Sequence, residues 1–470
     1  MISRLSPRIN TKLKMELQPA ATSPRAIPGS AEPQPEALAA EVPGTARRLR
    51  SYLFGHTDKH IWGIYLLLCL ISIVELYSAS SREVSGTGIG VYMPIMRHMA
   101  MLAVSFVIVV VMSRMHYSRF VTLVPLFVML SIGLWLASWF IGEDFNGARR
   151  AIRIMGITLQ PSEFMKLSAA LTIGYLAALF QEKKGMKKNG VWIAAGAVVF
   201  FAGTLIFSGL TNTILLLCIS LSMLVITGMR LTDLFKIALA YMAGMALLVG
   251  VFYIDYKMHA VPGATADMSE MQVSKLTRWE TWVSRLEEFG NDSVPKYQQK
   301  MTADNRQAMI GFMAQAHGGI KGVMPGNSRE TSRLPLAFTD YIYSIIVEEL
   351  GLVGGLAVLL LYLWLMARAA VLANRVSVNF AAQLVLAASL TIVFQALFHI
   401  GIVTGAMPVS GQPLPLISKG GTSILITSIA FGIMLSVSRH ATRKGARKKE
   451  IEQEESMLPK EMSAANPTQL

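Results

Sequence analysis

Charged residues are scarce in this sequence. Of its 470 residues, 15% are Asp, Glu, Lys or Arg and 53% are hydrophobic, which gives a mean hydropathy of +0.47. Soluble domains carry about 25% charged residues, so this composition excludes an ordinary soluble protein. Several apolar runs reach the roughly 20 residues that cross a bilayer as a helix, and we therefore predict a polytopic membrane protein.

Cysteine is also scarce. Cys69 and Cys218 are the only two cysteines, and both lie within apolar runs. This excludes a disulfide framework and zinc-type spacing, and we interpret both residues as buried structural thiols. The formal net charge of +14 lies mostly in the tails and short loops. That distribution argues against nucleic acid as a partner and fits the cytoplasmic excess of Lys and Arg in membrane proteins.

The apolar runs predict an all-α fold with about ten transmembrane helices. They are too uniformly apolar for the alternating strands of an outer-membrane barrel. The predicted spans are about 61–79, 98–114, 119–141, 161–180, 191–208, 212–229, 232–255, 341–367, 379–405 and 413–437.

The remaining sequence divides into tails and loops. Residues 1–55 are basic, lack the apolar core of a cleavable signal and are predicted to form a disordered tail. A membrane domain covers 56–440, including a large outer loop at 256–338 between spans 7 and 8, and a charged tail follows at 441–470.

Lys and Arg concentrate in alternate connections between the spans. The basic connections hold Arg114, Arg119, Lys183, Lys184, Lys187, Lys188, Arg230, Arg368 and Arg375. The positive-inside rule then places both termini in the cytoplasm and the loops 142–160 and 256–338 outside.

One outer loop departs from this charge distribution. It contains Arg149, Arg150 and Arg153. These guanidinium groups predict an anion site at the outer face, because their paired N–H donors match phosphate oxygens. Charge balance with Glu143 and Asp144 is the alternative interpretation.

The fourth predicted span opens with polar residues. It begins Gln160-Pro161-Ser162-Glu163 and continues to Lys166. Proline suits a first helical turn, and Glu163 and Lys166 lie three residues apart on one helical face, where they can pair. Ionisable groups at the mouth of a span face a cavity or a partner, so the pair is either structural or part of a site.

Three more carboxyl groups surround the start of the eighth span. Asp340 lies at its mouth, and Glu348 and Glu349 lie about 12 Å deeper. Carboxylates at that depth need a partner on another helix, for which Lys166 and Lys419 are candidates.

Residues 407–423 precede the last span and contain three prolines and three glycines. Such irregular backbone survives at membrane depth only when protein buries it or when it lines a cavity, so we predict a pocket that opens outward. Glu75 and His399 also lie in apolar surroundings, and for His399 a satisfied core histidine is favoured over a ligand. The residues expected to shape the pocket are Gln160, Pro161, Ser162, Glu163, Asp340, Glu348, Gly411, Pro413 and Ser418.

These motifs together resemble the shape, elongation, division and sporulation (SEDS) family, the FtsW/RodA type of membrane protein. The resemblance covers about residues 60–440 and follows the family order. Its motifs lie at 77–78, 146–150, 160–164, 326–328, 334–335, 339–340, 348–351 and 411–423. Gln412, Lys419 and the run at 324–328 look more like the division branch of Bacteroidetes-type bacteria.

The resemblance implies a peptidoglycan glycosyltransferase that polymerises lipid II at the outer face of the bacterial cytoplasmic (inner) membrane. It implies ten transmembrane helices and work beside a class B penicillin-binding protein, a transpeptidase, and other divisome membrane proteins. The reaction joins a sugar hydroxyl to an anomeric carbon and releases undecaprenyl pyrophosphate. It needs a carboxylate base and cations for the leaving group.

The resemblance places the base in the large outer loop, where this sequence departs from the family pattern. Asp304 directly precedes a predicted short helix at 305–315 and is favoured over Asp292, with the loop glutamates as a third option. Asp304 could also be a helix N-cap. The predicted substrate cations are Arg149, Arg150, Arg153, Lys166 and Lys419. A divalent cation, Mg²⁺ or Mn²⁺, could assist beside the pyrophosphate, although no dedicated metal motif is present.

Two functions of other classes stay open. A flippase for the lipid-linked precursor would also need a cavity with buried charges. The long acidic loop favours an enzyme, because a flippase needs no outer general base. A non-catalytic division scaffold is the second alternative, and it would tolerate substitution of polar cavity residues that leave the fold intact.

Overall fold

The structure is a computed structural model that describes residues 55, 57–83, 92–145, 148–154, 157–182, 185–206, 208–259, 285, 289–290, 298–302, 305–334, 337–443, 446 and 448–466. The predicted N-terminal tail and most of the predicted outer loop, including Asp292 and Asp304, lie outside these residues.

Helices dominate the described residues, which confirms the predicted all-α membrane fold. In chain order they are α1 (Lys59–Glu83), α2 (Tyr92–Arg114), α3 (Phe120–Ile141), α4 (Pro161–Leu179), α5 (Lys188–Ile206), α6 (Leu210–Ile226), α7 (Leu231–His259), α8 (Arg306–Gly318), α9 (Ala337–Asp340), α10 (Ile342–Arg375), α11 (Asn379–Val403), α12 (Gly421–His440) and α13 (Lys448–Ser456). Short 3₁₀ turns cover Tyr117–Arg119 and Lys460–Met462.

A helix lies at each of the predicted spans. Within the described residues, eight helices are long and apolar enough to cross a membrane. The shorter α6 and the more polar α4, which carries Glu163 and Lys166, fall outside that group. The multi-pass architecture is therefore established, and the span number of ten stays a prediction.

The helices form an inner and an outer set. α11 and α12 are largely buried, and α4 packs against α11 while α12 packs against α2. By contrast, α2, α3 and α7 expose large apolar side chains such as Val107, Phe140 and Leu247. An apolar surface of this kind suits contact with lipid, whereas the buried set can hold polar groups.

The loop 142–160 folds in part as a small sheet, which the all-α prediction did not include. Strands β1 (Glu143–Phe145), β2 (Ala148–Ile154) and β3 (Ile157–Leu159) pair antiparallel in the order β1-β2-β3. The missed sequence signal is the dipeptide Asn146-Gly147, which is favoured in two-residue hairpin connections. A second hairpin pairs β4 (Gln181–Glu182) with β5 (Gly185–Met186).

The end of the large outer loop packs against a kink in α10. Gly351 interrupts this helix with a φ of 74°, which leaves nearby carbonyl and amide groups for the loop. Val323 N donates to Glu348 O (3.0 Å), Met324 N donates to Glu349 O (2.9 Å), and Leu352 N donates to Gly319 O (2.9 Å).

Three glycines permit this close backbone approach. A Cβ at Gly318 would lie 2.0 Å from Val347 O. The corresponding distances are 2.2 Å from Gly322 to Glu349 O and 2.2 Å from Gly351 to Ile320 O. We call Gly318, Gly322 and Gly351 the glycine interlock. It fixes the loop 319–334 against α10.

The described part of the C-terminal segment packs against the membrane domain. Glu454 is buried and accepts hydrogen bonds from Tyr117 (2.6 Å), Ser377 (2.7 Å) and the amide of Thr442 (3.0 Å). Asn466 binds the carbonyls of Ala373 and Val376. A cavity of about 540 Å³ beside this segment is lined by residues including His116, His440 and Gln453. It lies at the predicted inner ends of the helices and includes no predicted site residue.

Candidate functional site

A fully buried lysine lies at the centre of the helix bundle. Lys166 Nζ contacts Glu163 Oε1 at 2.7 Å, Gln395 Oε1 at 3.1 Å and Gln412 Oε1 at 3.4 Å. The predicted Glu163–Lys166 pair is therefore confirmed. An ammonium group has three N–H donors, and these three acceptors engage all of them.

The same cluster continues through side-chain amides. Gln395 Nε2 donates to Glu163 Oε2 at 3.3 Å and to Pro413 O at 3.2 Å. Gln412 Nε2 donates to Asn212 Oδ1 at 2.9 Å. We call Glu163, Lys166, Asn212, Gln395 and Gln412 the lysine network. It joins α4, α6 and α11 to the irregular segment before α12.

The start of α4 explains how the sequence brings Lys166 into this position. Pro161 occupies the first turn, and Gln160 has an extended backbone just before it. The amide of Gln160 donates to Thr422 Oγ1 (3.0 Å), and that hydroxyl donates to Thr158 O (2.8 Å). These contacts tie the end of the small sheet to the start of α12. Pro161, Ser162 and Glu163 are all buried, and their role as pocket residues stays a prediction.

Within the irregular segment before α12, residues 412–418 are buried and Gly411 is exposed. The pocket predicted to open outward here stays a prediction. Backbone carbonyls of the segment find donors on neighbouring helices, because His399 Nδ1 contacts Gln412 O (2.6 Å) and Tyr362 OH donates to Pro415 O (2.6 Å). Ser418 Oγ accepts from Leu414 N at 2.7 Å. The prediction of a bonded core histidine at His399 is confirmed for Nδ1.

Four predicted site residues meet at the outer end of this segment. Ser418 Oγ donates to Thr339 O (2.7 Å), and the Lys419 ammonium lies 5.7 Å from the centre of the Phe338 ring. A Cβ at Gly411 would approach Asp340 Oδ2 to 2.8 Å. Glycine at 411 therefore lets the Asp340 carboxyl group lie directly against the backbone. Asp340 and Lys419 are both partly exposed, unlike the lysine network.

The structure adds a cation that the sequence analysis missed. Arg285, in the middle of the large outer loop, donates from Nη1 to Val409 O at 3.2 Å. This contact brings the only described arginine of residues 260–305 next to the irregular segment. The sequence signal was weak, because one arginine in a long polar loop has no distinguishing pattern.

A second buried cluster surrounds Glu348. Its carboxylate contacts His317 Nδ1 (2.8 Å), Ser328 Oγ (2.5 Å) and the amide of Arg329 (2.9 Å). The predicted bond of Glu348 to another helix is therefore confirmed by His317 on α8, whereas the two lysines named as candidates are wrong for Glu348. The glycine interlock returns the loop towards α10, so the loop and the end of α8 supply the donors instead.

Glu349 and Glu75 complete this second cluster. Glu349 Oε1 accepts from Ser78 Oγ and from the amide of Gly326 (3.2 Å). Glu75 lies one turn before Ser78 on α1 and is fully buried. We call Glu75, Glu348 and Glu349 the glutamate cluster. Its contacts explain the Gly326-Asn327-Ser328 motif, because Gly326 and Ser328 supply donors.

The predicted outer cations are only partly described. Arg149, Arg150 and Arg153 belong to β2, and Arg153 is exposed. The sheet that carries them is tied to α4 through Thr158 and Thr422. These hydrogen bonds therefore connect the sheet that contains β2 to α4, the helix that contains Lys166.

The predicted base positions precede α8. A helix at 306–318 confirms the predicted short helix, but its N-cap is Asn305. Asn305 makes no side-chain cap hydrogen bond, and the alternative role of Asp304 as a helix N-cap lies outside the described residues. Asn305 is buried, and its Oδ1 accepts from the amide of Thr302 at 2.7 Å. Among the described residues, no group of three or more His, Cys, Asp or Glu side chains could hold a metal ion.

The fold and the site define a class: a polytopic helical membrane protein with a buried charged network. The family profile described as "Cell cycle protein", for FtsW, RodA and SpoVE, matches residues 58–443. The chain belongs to the FtsW/RodA/SpoVE family. The match spans both clusters and the outer loop.

Curated relatives carry a consistent name. A protein of Enterococcus hirae named "Probable peptidoglycan glycosyltransferase FtsW" is 26% identical over 419 residues, which covers 87% of this chain and 98% of that protein. A protein of the same name from Nitrosococcus halophilus is 30% identical over 324 residues, which covers 67% of this chain and 74% of that protein.

Solved structures share the fold. The Thermus thermophilus rod shape determining protein RodA aligns with a TM-score of 0.53 and 19% identity, covering 82% of this chain and 97% of that chain. A chain from a structure titled "Structural coordination of polymerization and crosslinking by a peptidoglycan synthase complex" aligns with a TM-score of 0.56 and 20% identity. That alignment covers 82% of this chain and 98% of the other.

Proposed function

We propose that this protein is a peptidoglycan glycosyltransferase that polymerises lipid II into glycan strands for septal wall synthesis. The family match over residues 58–443 carries this proposal, because it includes the lysine network, the irregular segment and the outer loop together. The relatives named as peptidoglycan glycosyltransferases support the reaction type.

The reaction needs one proton acceptor and a neutralised leaving group. A carboxylate takes the proton from the sugar hydroxyl of one lipid II molecule. The hydroxyl oxygen forms a bond to the anomeric carbon of the other molecule, and the bond from that carbon to the pyrophosphate oxygen breaks. Undecaprenyl pyrophosphate leaves with the electron pair, so cations near its oxygens lower the barrier.

Asp304 is the proposed base, ahead of Asp292. Asp304 directly precedes Asn305 at the start of α8. That helix packs against α10. The base would then directly precede a helix that is packed against the membrane domain.

The cations at the outer face are the proposed pyrophosphate ligands. Arg149, Arg150 and Arg153 lie on the outer sheet, and Lys419 lies at the outer end of the irregular segment. Arg285 is added to this group because it contacts Val409. Each guanidinium group can bind two phosphate oxygens.

Lys166 has a different status in this proposal. All three of its donors are engaged by the lysine network. It would bind a phosphate oxygen only by releasing one of these acceptors, and Gln412 at 3.4 Å is the longest contact. In the described conformation, Lys166 instead positions α4 against the irregular segment.

The orientation and partners belong to the same proposal. Basic inner connections support cytoplasmic termini and a site that faces the periplasm in a bacterial inner membrane. A single-span class B transpeptidase and other divisome proteins are the proposed partners, supported by the fold shared with a chain of a peptidoglycan synthase complex. Mg²⁺ or Mn²⁺ beside the pyrophosphate is proposed to assist the cations.

The function is tested with the purified full-length protein and lipid II in detergent. The assay is run in parallel with and without a class B transpeptidase. We expect glycan polymer to form. Detergent provides no membrane to cross, so polymer formation separates an enzyme from a flippase. No polymer under either condition, from protein that is folded and binds lipid II, would contradict the proposed reaction.

A further inference from the structure

Glu75 is a buried carboxyl group without a donor. Its side chain is fully buried in α1, at the predicted outer half of the membrane. Within the described residues, neither carboxyl oxygen has a hydrogen-bond partner, and no cation forms an ion pair with it. An ionised carboxylate in such surroundings is very costly, because neither water nor protein donors stabilise the charge.

Its neighbour Glu349 has the opposite environment. Ser78, one helical turn after Glu75 on the same face of α1, donates to Glu349 Oε1. The amide of Gly326 donates to the same oxygen at 3.2 Å and to Ser78 Oγ at 2.7 Å. These donors stabilise a negative charge on Glu349, and within the described part of the chain no comparable donors reach Glu75.

Two neighbouring buried carboxyl groups do not both ionise readily, because like charges repel strongly at low dielectric. The group with donors keeps the charge, and the group without them keeps the proton. We propose that Glu75 is a neutral carboxylic acid whose O–H donates to Glu349, so that one proton joins α1 to the loop 319–334.

The other titratable groups near this pair do not replace the proton. Glu348 on α10 is engaged by His317, Ser328 and the amide of Arg329. His98 on α2 contacts Ser72, one turn before Glu75, through Nε2 at 2.7 Å. Ser72 donates onward to Ile417 O at 3.1 Å, so His98 Nε2–H is the donor to Ser72 and is not available to Glu75.

Glu75 would thereby be a positioning residue for the outer loop. A neutral acid offers one O–H donor and one carbonyl acceptor. Its donation to Glu349 would hold the carboxylate that binds Gly326, at the start of the Gly326-Asn327-Ser328 motif. The proposal concerns the position of the loop and does not depend on the glycosyltransferase reaction.

Infrared spectroscopy of the purified full-length protein at neutral pH tests the protonation directly. Ordinary Asp and Glu side chains are ionised at this pH. We expect the wild-type protein to show the carbonyl band of a protonated carboxylic acid, and this band should shift in deuterium oxide. The band should be absent in Glu75→Gln and should persist in Glu348→Gln. The wild-type protein lacking this band, or Glu75→Gln retaining it unchanged, would overturn the proposal.

Two additions make each result decisive. If Glu75→Gln does not fold, Glu75→Asp replaces it, and the acid band must then shift in frequency; an unshifted band overturns the proposal. The wild-type protein could instead show a carboxylate band in place of the acid band. If a chelator removes that carboxylate band, a divalent cation is bound at Glu75 and the proposal is overturned.

Hydrogen exchange supplies a readout of loop position. We expect exchange in peptides from 319–334 to stay within about twofold of wild type in Glu75→Gln, because the amide N–H can replace the acid O–H. In Glu75→Ala the same peptides should exchange more than about tenfold faster. Equal exchange in Glu75→Ala and wild type would exclude a positioning role for Glu75.

Discussion

The lysine network and the glutamate cluster both hold charge at membrane depth, but their partners come from different places. In the lysine network, the charges of Lys166 and Glu163 oppose each other on one helix, and amide side chains complete the shell. In the glutamate cluster, backbone amides and side chains of the outer loop and of α1 and α8 supply the donors. The first cluster stabilises the bundle, and the second couples the bundle to the loop.

The largest effect is expected when the lysine network loses its cation. Lys166→Met leaves Glu163 buried without a counter-charge, which costs about 3–5 kcal/mol of unfolding free energy. The double variant Lys166→Met/Glu163→Gln removes both charges and should recover most of the loss. Thermal unfolding in detergent measures both. Equal instability of the single and double variants would show that charge pairing is not the source of the effect.

The glycine interlock provides the next largest effect. Gly322 has a φ of 78° and no room for a Cβ beside Glu349 O. Gly322→Ala should destabilise the protein by about 2–4 kcal/mol through strain and overpacking. Gly203→Ala is the matched control, since nothing lies within 4 Å of its added Cβ. Thermal unfolding midpoints that fall equally in both variants would argue against the interlock.

A smaller effect is expected at the acceptor of the glutamate cluster. Glu348→Gln places an NH₂ group among donors from His317, Ser328 and Arg329, at a cost of about 1.5–3 kcal/mol. Hydrogen exchange should accelerate in 319–334 more than in α4. Glu452→Gln is the control, because its side chain is 58% exposed. Acceleration spread evenly over both regions would remove the distinction between the two clusters.

The smallest effect is expected at an ion pair outside both clusters. Burial raises the pKa of Asp58. Three hydrogen bonds, from Arg368 and from the amides of His60 and Ile61, lower the pKa, as does the positive charge of Arg368. Together they bring the pKa below its usual value. This stabilisation is present above the unfolded-state pKa and is lost as pH falls through the folded-state pKa.

Asp58→Asn should therefore cost up to about 1 kcal/mol at neutral pH and less in acid. Unfolding midpoints of the wild type and Asp58→Asn, each measured at neutral and at acid pH, give the two losses. A loss in Asp58→Asn that is independent of pH would contradict a role for the carboxylate charge.

Sequence patterns predicted the elements that have a local signal. Apolar runs predicted the helices, Pro161 predicted the start of α4, and the spacing of Glu163 and Lys166 predicted their pair. The prolines and glycines of 407–423 predicted irregular backbone before the last span, and residues 412–418 of that segment are buried. Each of these features depends on residues close together in sequence.

The partners that sequence reasoning missed are distant in sequence. Glu348 was expected to contact a lysine, yet His317 and Ser328 reach it because Gly318, Gly322 and Gly351 allow two backbones to touch. Nothing local to Glu348 indicates that approach. Likewise, Gln395 and Asn212 join the lysine network from helices whose packing the spacing of apolar residues does not specify.

The central claim is that a loop carboxylate acts as the base of a lipid II polymerase. The most direct measurement compares glycan polymer formed from lipid II by the purified wild-type protein, Asp304→Asn and Asp292→Asn. Our account predicts polymer from the wild type and Asp292→Asn and a loss of about 10²-fold or more in Asp304→Asn. Polymer at the wild-type rate from Asp304→Asn would contradict it.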